Sequence, residues 1–186
     1  MMELLAEIEK RRAKRALSEK KIPADVVDRI MTAATYAPSC FNNQPYRFLV
    51  VDQEQELEKI RLNMPDANYW AKKSPLMVLV ATKPELDCQL DDKRDYAFFD
   101  VGLAVENMIL QAVKEGLVAH PIAGYRPVSI KKAFGIPDDH TLVVIVVIAY
   151  PGDESSLNSK HLTSEHSERS RKSREEVVFF NTFRVV

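Results

Sequence analysis

The sequence predicts one domain that mixes α-helices and β-strands along its whole length. The chain has 186 residues, of which 46% are hydrophobic, so a single core can bury roughly 70% of the unfolded surface. In some segments apolar residues recur at helical spacing, and in others they form the short continuous runs that are typical of buried strands. No second domain is required, and we treat residues 1–186 as one unit.

The first half predicts two helices followed by a strand, a helix and a strand. Leu4, Leu5 and Ile8 recur at helical spacing. A second helix is predicted from Ala24 to Tyr36, because Pro23 suits a helix start. A buried strand, a helix and another buried strand are then expected over Tyr46 to Asp52, Gln53 to Leu62 and Leu76 to Thr82.

The second half is built around a long apolar helix from Tyr96 to Glu115. A helix that is apolar nearly all round is buried on several sides, so it is either the centre of a monomer core or a helix shared with a second subunit. Gly116 is a plausible C-terminal cap. A short strand, a short helix and a long central strand are expected over Leu117 to Ala123, Val128 to Phe134 and Thr141 to Tyr150.

The last segment changes character after Pro151. Gly152 to Arg174 is polar and has no periodicity, which predicts an extended arm. Val177 to Val186 is too apolar to stay in water. We therefore expect residues 152–186 to form a C-terminal arm whose end docks elsewhere, with a partner subunit as one candidate.

Charge and cysteine content exclude several classes. A formal net charge of −1 gives no global attraction to nucleic acid or anionic membranes. Cys40 and Cys88 lack a Cys-x-x-Cys spacing and the histidines lack metal-like spacing, so we expect no disulfide, no metal and a reducing cytoplasm. Met1 to Lys21 does not look like a signal peptide, and Leu142 to Ala149 is too short to span a bilayer. The protein is expected to be soluble.

Two segments carry candidate ligand-binding groups. Pro38 to Pro45 crowds amide side chains between two prolines, which suits the edge of a heterocycle such as a flavin or a base. The alternative is a helix stop with an Asn-rich turn, and spacing alone favours it. Arg11 to Arg15 holds four cations in five residues, and it could bind a phosphate, bind nucleic acid or simply be solvated.

Three motifs, in this order along the chain, resemble those of the nitroreductase family of FMN-dependent oxidoreductases. Arg11 to Arg15 is similar to the family's Arg-(Arg/His)-Ser-x-(Arg/Lys) motif. Pro38 to Tyr46 resembles its Pro-Ser-x-x-Asn-x-Gln-Pro-Trp signature, with Tyr46 in place of Trp and packed in the core. Lys172 and Arg174 resemble its C-terminal Lys-x-Arg, although Ser173 and Glu176 also have the spacing of a helix capping box.

This resemblance implies roles for the charged residues. Arg11 and Arg12 would bind the FMN phosphate. Lys172 and Arg174, from the other end of the chain, would complete the phosphate-binding site. Arg15 would lie near the flavin pyrimidine. Ala13 departs from the family's Ser, so a hydroxyl contact is lost and only the backbone amide could serve.

The resemblance also implies the residues around the flavin ring. Asn68 would contact the polar edge of the flavin ring. The alternative, that Asn68 is an ordinary loop residue, is equally well supported. His120 is expected to be a packed histidine, and Cys40 a small lining residue without a nucleophilic role. The loop residues would belong to the site of a neighbouring subunit. The residues expected to line the ring are Pro38, Ser39, Cys40, Asn42, Gln44, Pro121, Ile122, Ala123 and Gly124.

The implied fold is a three-layer α/β/α sandwich of the α+β class, with a mostly antiparallel central sheet and an intertwined homodimer. The implied activity is ping-pong hydride transfer from NAD(P)H through FMN to a nitroaromatic, quinone or related small oxidant. No catalytic side chain is obligatory, because the flavin carries the hydride. No Gly-x-Gly-x-x-Gly motif indicates a separate Rossmann site. The alternatives are a flavoprotein of flavin or halogenated-aromatic metabolism, and a nucleotide- or nucleic-acid-binding regulator.

Overall fold

The computed structural model describes residues 3–184 and is built on a four-stranded antiparallel sheet. The strands lie in the order β1-β2-β4-β3, with β2 and β4 in the centre. Both central strands are continuous apolar runs, which is expected of strands covered on both faces. The strands are β1 (Arg47–Val51), β2 (Leu76–Thr82), β3 (Val118–Ile122) and β4 (Thr141–Ala149).

Helices cover both faces of this sheet. The helices are α1 (Ala6–Lys10), α2 (Ala24–Thr35), α3 (Glu54–Arg61), α4 (Tyr96–Lys114), α5 (Pro127–Phe134), α6 (Ser159–His166) and α7 (Arg174–Val177). Val78 and Val80 of β2 pack into the same core cluster as buried residues of α2 and α4. Met77 and Leu79 face the opposite side, where α3 and α5 supply the cluster. The predicted α+β class with a mostly antiparallel sheet is confirmed.

The prediction that both early strands are buried is right for β2 and wrong for β1. Every residue of β2 is buried, whereas Arg47, Leu49 and Val50 of β1 are exposed. The reason is position, because β1 is an edge strand with a neighbour on one side alone.

Helix α4 begins at the predicted residue and is followed by the predicted glycine cap. Gly116 has φ +76°, and its N–H donates to the carbonyl of Val113 at 3.0 Å. Phe98 is 36% exposed and Phe99 56% exposed, so one side of the helix is left uncovered in the single chain. Within residues 3–184, α4 is the one helix that could cross a membrane by length and composition, but 44% of its most apolar stretch is buried, and core helices meet the same criterion.

The C-terminal segment is less extended than predicted. Helix α6 lies inside the polar stretch, and its N-terminus is capped by Asn158, whose side chain accepts the N–H of His161 at 2.9 Å. The capping box of Ser173 and Glu176 is present at α7. The final apolar residues are largely exposed, and Val185 and Val186 lie outside the described residues.

Candidate functional site

The segment Arg11 to Arg15 faces the chain that follows α6 across a cavity of about 360 Å³. Both walls carry cations, so positive charge arrives from two separate parts of the sequence. The lining residues are Arg11, Arg12, Ala13, Lys14, Arg15, Ser164, Ser167, Glu168, Arg169, Ser170 and Arg171.

A buried carboxylate binds the wall of the cavity that Arg11 to Arg15 form. Glu165 is 4% exposed, and its Oε2 accepts the backbone N–H of Arg15 at 2.8 Å. The ammonium of Lys14 lies 3.8 Å from the same carboxylate and also donates to the carbonyl of Glu165. Because a buried charge must be paired, these bonds tie the basic segment to α6.

Two arginines strengthen the contact between the walls. Arg12 donates to the carbonyl of Ser167. The guanidinium of Arg169 donates to the carbonyls of Ile8, Glu9 and Arg11 at 2.7 to 3.1 Å. Arg169 therefore positions the basic segment through its backbone.

An aromatic pair continues the site from Arg15. The guanidinium of Arg15 lies 5.5 Å from the ring centre of Trp70, which packs 4.4 Å from the ring of His120. His120 Nδ1 lies 3.0 Å from the carbonyl of Lys14, and since a carbonyl can only accept, Nδ1 carries the proton. Burial, together with the nearby charges of Arg15 and Arg11, lowers the pKa of His120 to about 4, so its imidazole is neutral. His120 is the packed histidine that we expected.

Asn68 and Gly124 are brought into contact by the fold. The side-chain Nδ2 of Asn68 donates to the carbonyl of Gly124 at 2.7 Å. A Cβ added at Gly124 would lie 2.9 Å from that nitrogen, so a larger residue would displace the amide. Pro121 and Ala123 are exposed on the same segment, whereas Ile122 is buried.

The Pro38 to Gln44 loop forms a separate site that is held by its own hydrogen bonds. Ser39 Oγ accepts the N–H of Gln44 at 3.0 Å, and Gln44 Nε2 donates to the carbonyl of Asn42 at 3.1 Å. Asn42 and Gln44 have φ of +60° and +52°, so their exposed side chains project from a left-handed backbone. Tyr46 is buried as expected, and its hydroxyl donates to the carbonyl of Thr35 at 3.0 Å.

Cys40 and Cys88 form a disulfide, so the prediction that the cysteines stay unpaired is wrong. Their separation of 48 residues hid the pairing, because only the fold brings the two loops together. Cys40, Asp87 and Cys88 are also the one group of possible metal ligands that clusters among residues 3–184. Both sulfur atoms are used by the disulfide.

Two buried carboxylates flank this disulfide, and sequence reasoning missed both. Asp100 accepts the N–H of Cys40 at 2.7 Å, and Asp87 accepts the N–H of Cys88 at 2.8 Å. Burial raises the pKa of Asp100, and the nearby Asp87 raises this pKa further. No sequence signal distinguishes these acids from the exposed acids around Asp92.

The structure thus brings some predicted residues together and keeps others apart. Arg11 to Arg15 and the chain around the end of α6 line one cavity, which we call the basic site, and Asn68 and Gly124 form a separate contact with each other. The described hydrogen bonds of the Pro38–Gln44 loop run within the loop, to Arg47 and to the disulfide region, and do not reach the basic site. Arg171, rather than Lys172 or Arg174, lines the basic cavity.

The C-terminal pair remains a prediction. Lys172 and Arg174 are exposed, and the guanidinium of Arg174 lies 5.9 Å from the ring centre of Phe180. Arg171 begins the basic cluster Arg171 to Arg174 that the sequence singles out, although the resemblance assigns the phosphate role to Lys172 and Arg174. Sequence reasoning missed Glu165 and Arg169, because they lie in a stretch with no periodicity.

Comparison with known proteins identifies relatives along most of the chain. The model of the nitroreductase family matches residues 8–73 and 65–150. A protein of Archaeoglobus fulgidus, provisionally named NADH dehydrogenase/NAD(P)H nitroreductase, is 29% identical over 166 residues, covering 84% of this chain and 90% of the relative. A protein of Methanothermobacter thermautotrophicus with the same provisional name is 27% identical over 160 residues, covering 82% of this chain and 79% of the relative.

Solved structures agree with these relatives. The crystal structure of an oxidoreductase containing FMN superposes with a TM-score of 0.85 at 25% identity, covering 98% of this chain and 94% of the other. The resemblance and the class of enzyme expected from the sequence are confirmed.

Proposed function

Because this chain belongs to the nitroreductase family, we propose that it is an FMN-dependent oxidoreductase that takes hydride from NAD(P)H and reduces nitroaromatics, quinones or related small oxidants. The observation that supports this most directly is the basic cavity of about 360 Å³, in which arginines arrive from residues 11–15 and 169–171. Several cations from separate elements suit a dianionic phosphate.

The residues present fit FMN at two places. Arg11, Arg12 and Arg15 take part in none of the described salt bridges of residues 3–184, so their guanidinium groups can receive a phosphate. At the second place, outside the basic cavity, Gly124 has no Cβ and presents exposed backbone beside the amide of Asn68. A backbone that a ligand can approach closely, next to the side-chain amide of Asn68, suits the polar edge of a flavin.

Bound FMN would supply the chemistry, by accepting hydride and passing it to the oxidant in separate half-reactions. This chain's own residues would hold and tune the cofactor. Arg15 is fixed by Glu165 and Trp70, and its charge would stabilise negative charge that develops on the ring. Because His120 is neutral, the arginines supply the positive charge near the ring. We assign no proton transfer to a side chain.

We further propose that the active form is a homodimer. The Pro38–Gln44 loop presents Asn42 and Gln44 to solvent and is not bonded to the basic site of its own chain. A second copy would bring this loop to the basic site of its partner. The exposed rings of Phe98 and Phe99 supply apolar surface for such a contact.

FMN binding to charge-removal variants tests the phosphate assignment. Arg11→Ala combined with Arg174→Ala should weaken FMN binding about tenfold or more, because a hydrogen bond to a charged group contributes roughly 1.5–3 kcal/mol. Binding is measured by titration of flavin fluorescence. Arg94→Ala is the matched control, because Arg94 pairs with Asp92 on an exposed loop and should leave the affinity unchanged.

Two results would count against the proposal. Unchanged affinity in the double variant would show that the phosphate assignment is wrong, and Arg171→Ala would then test the cation that lines the cavity. Protein that never acquires a flavin spectrum, but binds DNA with a steep salt dependence, would favour the nucleic-acid reading of Arg11 to Arg15.

A further inference from the structure

We propose that Cys40 and Cys88 form a reversible dithiol–disulfide centre that exchanges electrons with an external dithiol. The state of this centre controls how firmly the Pro38–Gln44 loop is held. The disulfide joins two loops that are far apart in sequence. Cys40 begins the single helical turn Cys40–Asn42, and Cys88 follows the turn Pro84–Leu86. Both residues are half-buried, so neither cysteine is sealed in the core.

The loop held by this disulfide has an unfavourable backbone. Phe41, Asn42 and Gln44 have φ of +46°, +60° and +52°, in a region that residues with a Cβ rarely adopt. Such a conformation persists only where the surroundings hold it. Here the covalent support is the bond from Cys40 to Cys88. Reduction would leave the loop supported by its hydrogen bonds and by the buried residues Ala37 and Tyr46 on either side of it.

Polar side chains beside the sulfur atoms can form hydrogen bonds with the reduced cysteines. Asn43 Nδ2 lies 3.6 Å from Cys88 Sγ, where it can donate to a thiolate. Asp87 is 7% exposed, and its Oδ2 is buried with no hydrogen-bond partner among the described residues. An unpartnered buried carboxylate oxygen is costly. Both sulfur atoms lie within 4.8 Å of a carboxylate oxygen of Asp87, so a thiol formed on reduction can donate to this carboxylate.

The exchange follows from these positions. A thiolate of the external dithiol attacks Cys40 Sγ, the S–S bond breaks, and its electron pair leaves on Cys88 Sγ beside Asn43. The second thiol of the dithiol then attacks the mixed disulfide and releases Cys40. The dithiol is oxidised by two electrons to its own disulfide. Cys40 and Cys88 are reduced, and the two protons of the dithiol end on their thiols.

The first experiment counts thiols in the native protein. The whole chain is equilibrated with dithiothreitol at graded ratios of its reduced and oxidised forms, and free thiols are alkylated and counted by mass spectrometry. Two thiols should appear together while the protein stays folded, and both should disappear when the oxidised form is in excess. Cysteines that react only after unfolding, or that cannot be reoxidised, would overturn the proposal.

A second arm distinguishes the source of the dithiol. A protein with a Cys-x-x-Cys pair replaces dithiothreitol at equal thiol concentration. Faster reduction by the protein dithiol identifies a protein as the better partner, and faster reduction by dithiothreitol identifies a small thiol. Both results support the exchange centre. Reduction by neither reagent contradicts it.

The effect on the loop is measured as FMN affinity, and this part rests on the proposed function. Reduction should weaken FMN binding about three- to tenfold, because a loop that is no longer held must be ordered on binding. Cys88→Ser should show the weaker affinity in both reducing and oxidising buffer. Equal affinities in the two states of the unmodified chain would overturn the control of the loop, whether or not the variant folds.

The thiol count and the FMN affinity test different parts of the proposal, and one can fail without the other. If FMN binds neither state, the proposed function fails and the loop no longer has a cofactor to control. The thiol count still decides the exchange centre, because it does not use FMN.

Discussion

Arg15 and His120 show how single side chains set the charge of the basic site. The backbone of Arg15 is bonded to Glu165, and its guanidinium lies over Trp70. His120 also packs against Trp70 and is 8% exposed. A protonated His120 would be buried and would lie near Arg15 and Arg11, so the folded protein keeps this imidazole neutral.

A dependence of stability on pH follows from this neutral imidazole. The pKa of His120 is about 4 in the folded chain, against 6.5 for an ordinary histidine. The unfolded chain therefore binds the proton first, and stability that is present above pH 6.5 is lost as the pH falls towards 4. Between about pH 8 and about pH 5, protonation of His120 in the unfolded chain should lower the free energy of unfolding by about 2 kcal/mol.

His120→Asn tests this prediction, because an Asn amide can still donate to the carbonyl of Lys14. Urea unfolding across that pH range should show a smaller loss of stability in the variant than in the unmodified chain. His166→Asn is the control, since His166 has a side chain that is 63% exposed. Equal losses in His120→Asn and the unmodified chain would contradict the assigned cause.

The individual residues of the site differ in how far they could be predicted. Arg11 to Arg15 and Asn68 belong to local segments, and the resemblance of these segments to the family is enough to assign their expected roles. Glu165 and the partner of Cys40 could not be predicted, because their role depends on contacts between distant segments. A single acid or a single cysteine carries no local signal of its partner.

At the scale of elements, the segment before α2 is fixed to the end of β4 by direct backbone contact. Gly152 N–H donates to the carbonyl of Ala16 at 2.8 Å, and Ser18 N–H donates to the carbonyl of Tyr150 at 2.9 Å. A Cβ at Gly152 would overlap the backbone of Leu17 and Ser18. This contact positions the basic segment Arg11–Arg15, which ends at the residue before Ala16.

Gly152→Ala should therefore move the basic segment. Backbone atoms cannot yield as a flexible side chain can, so we expect a loss of about 1–3 kcal/mol in unfolding free energy and weaker FMN binding. Gly102→Ala is the control for the unfolding free energy alone, because a Cβ there meets nothing within 4 Å in the single chain, and Ala should stabilise helix α4 by up to about 1 kcal/mol. Urea unfolding and FMN titration measure both effects. A Gly152→Ala protein with unchanged stability and affinity would contradict the close contact.

The elements themselves were predicted well where periodicity is local. Helices α2 and α4 were placed to within a residue, because their apolar spacing is strong. The exposure of β1 was missed, since an apolar run does not say whether its strand lies at the edge of the sheet. Helix α6 was missed because its sequence is polar and is capped by Asn158 rather than held by an apolar face.

At the scale of the whole molecule, one chain presents two partial sites. The basic site carries the arginines, and the Pro38–Gln44 loop carries the exposed amides. The proposed homodimer would join the two, and the exposed Phe98 and Phe99 would be covered in the same step. The α+β class and the family were predictable from the order of motifs, whereas subunit contacts depend on surface shape that the sequence does not encode locally.

The most direct test of the account is an anaerobic spectral titration of the protein loaded with FMN. Addition of NADH or NADPH should bleach the visible flavin absorbance in the absence of any oxidant. After the nicotinamide is removed, addition of a quinone or a nitroaromatic should restore it, because the two half-reactions are separate. A chain that retains no flavin, or a bound flavin that neither nicotinamide bleaches, would contradict the proposed function.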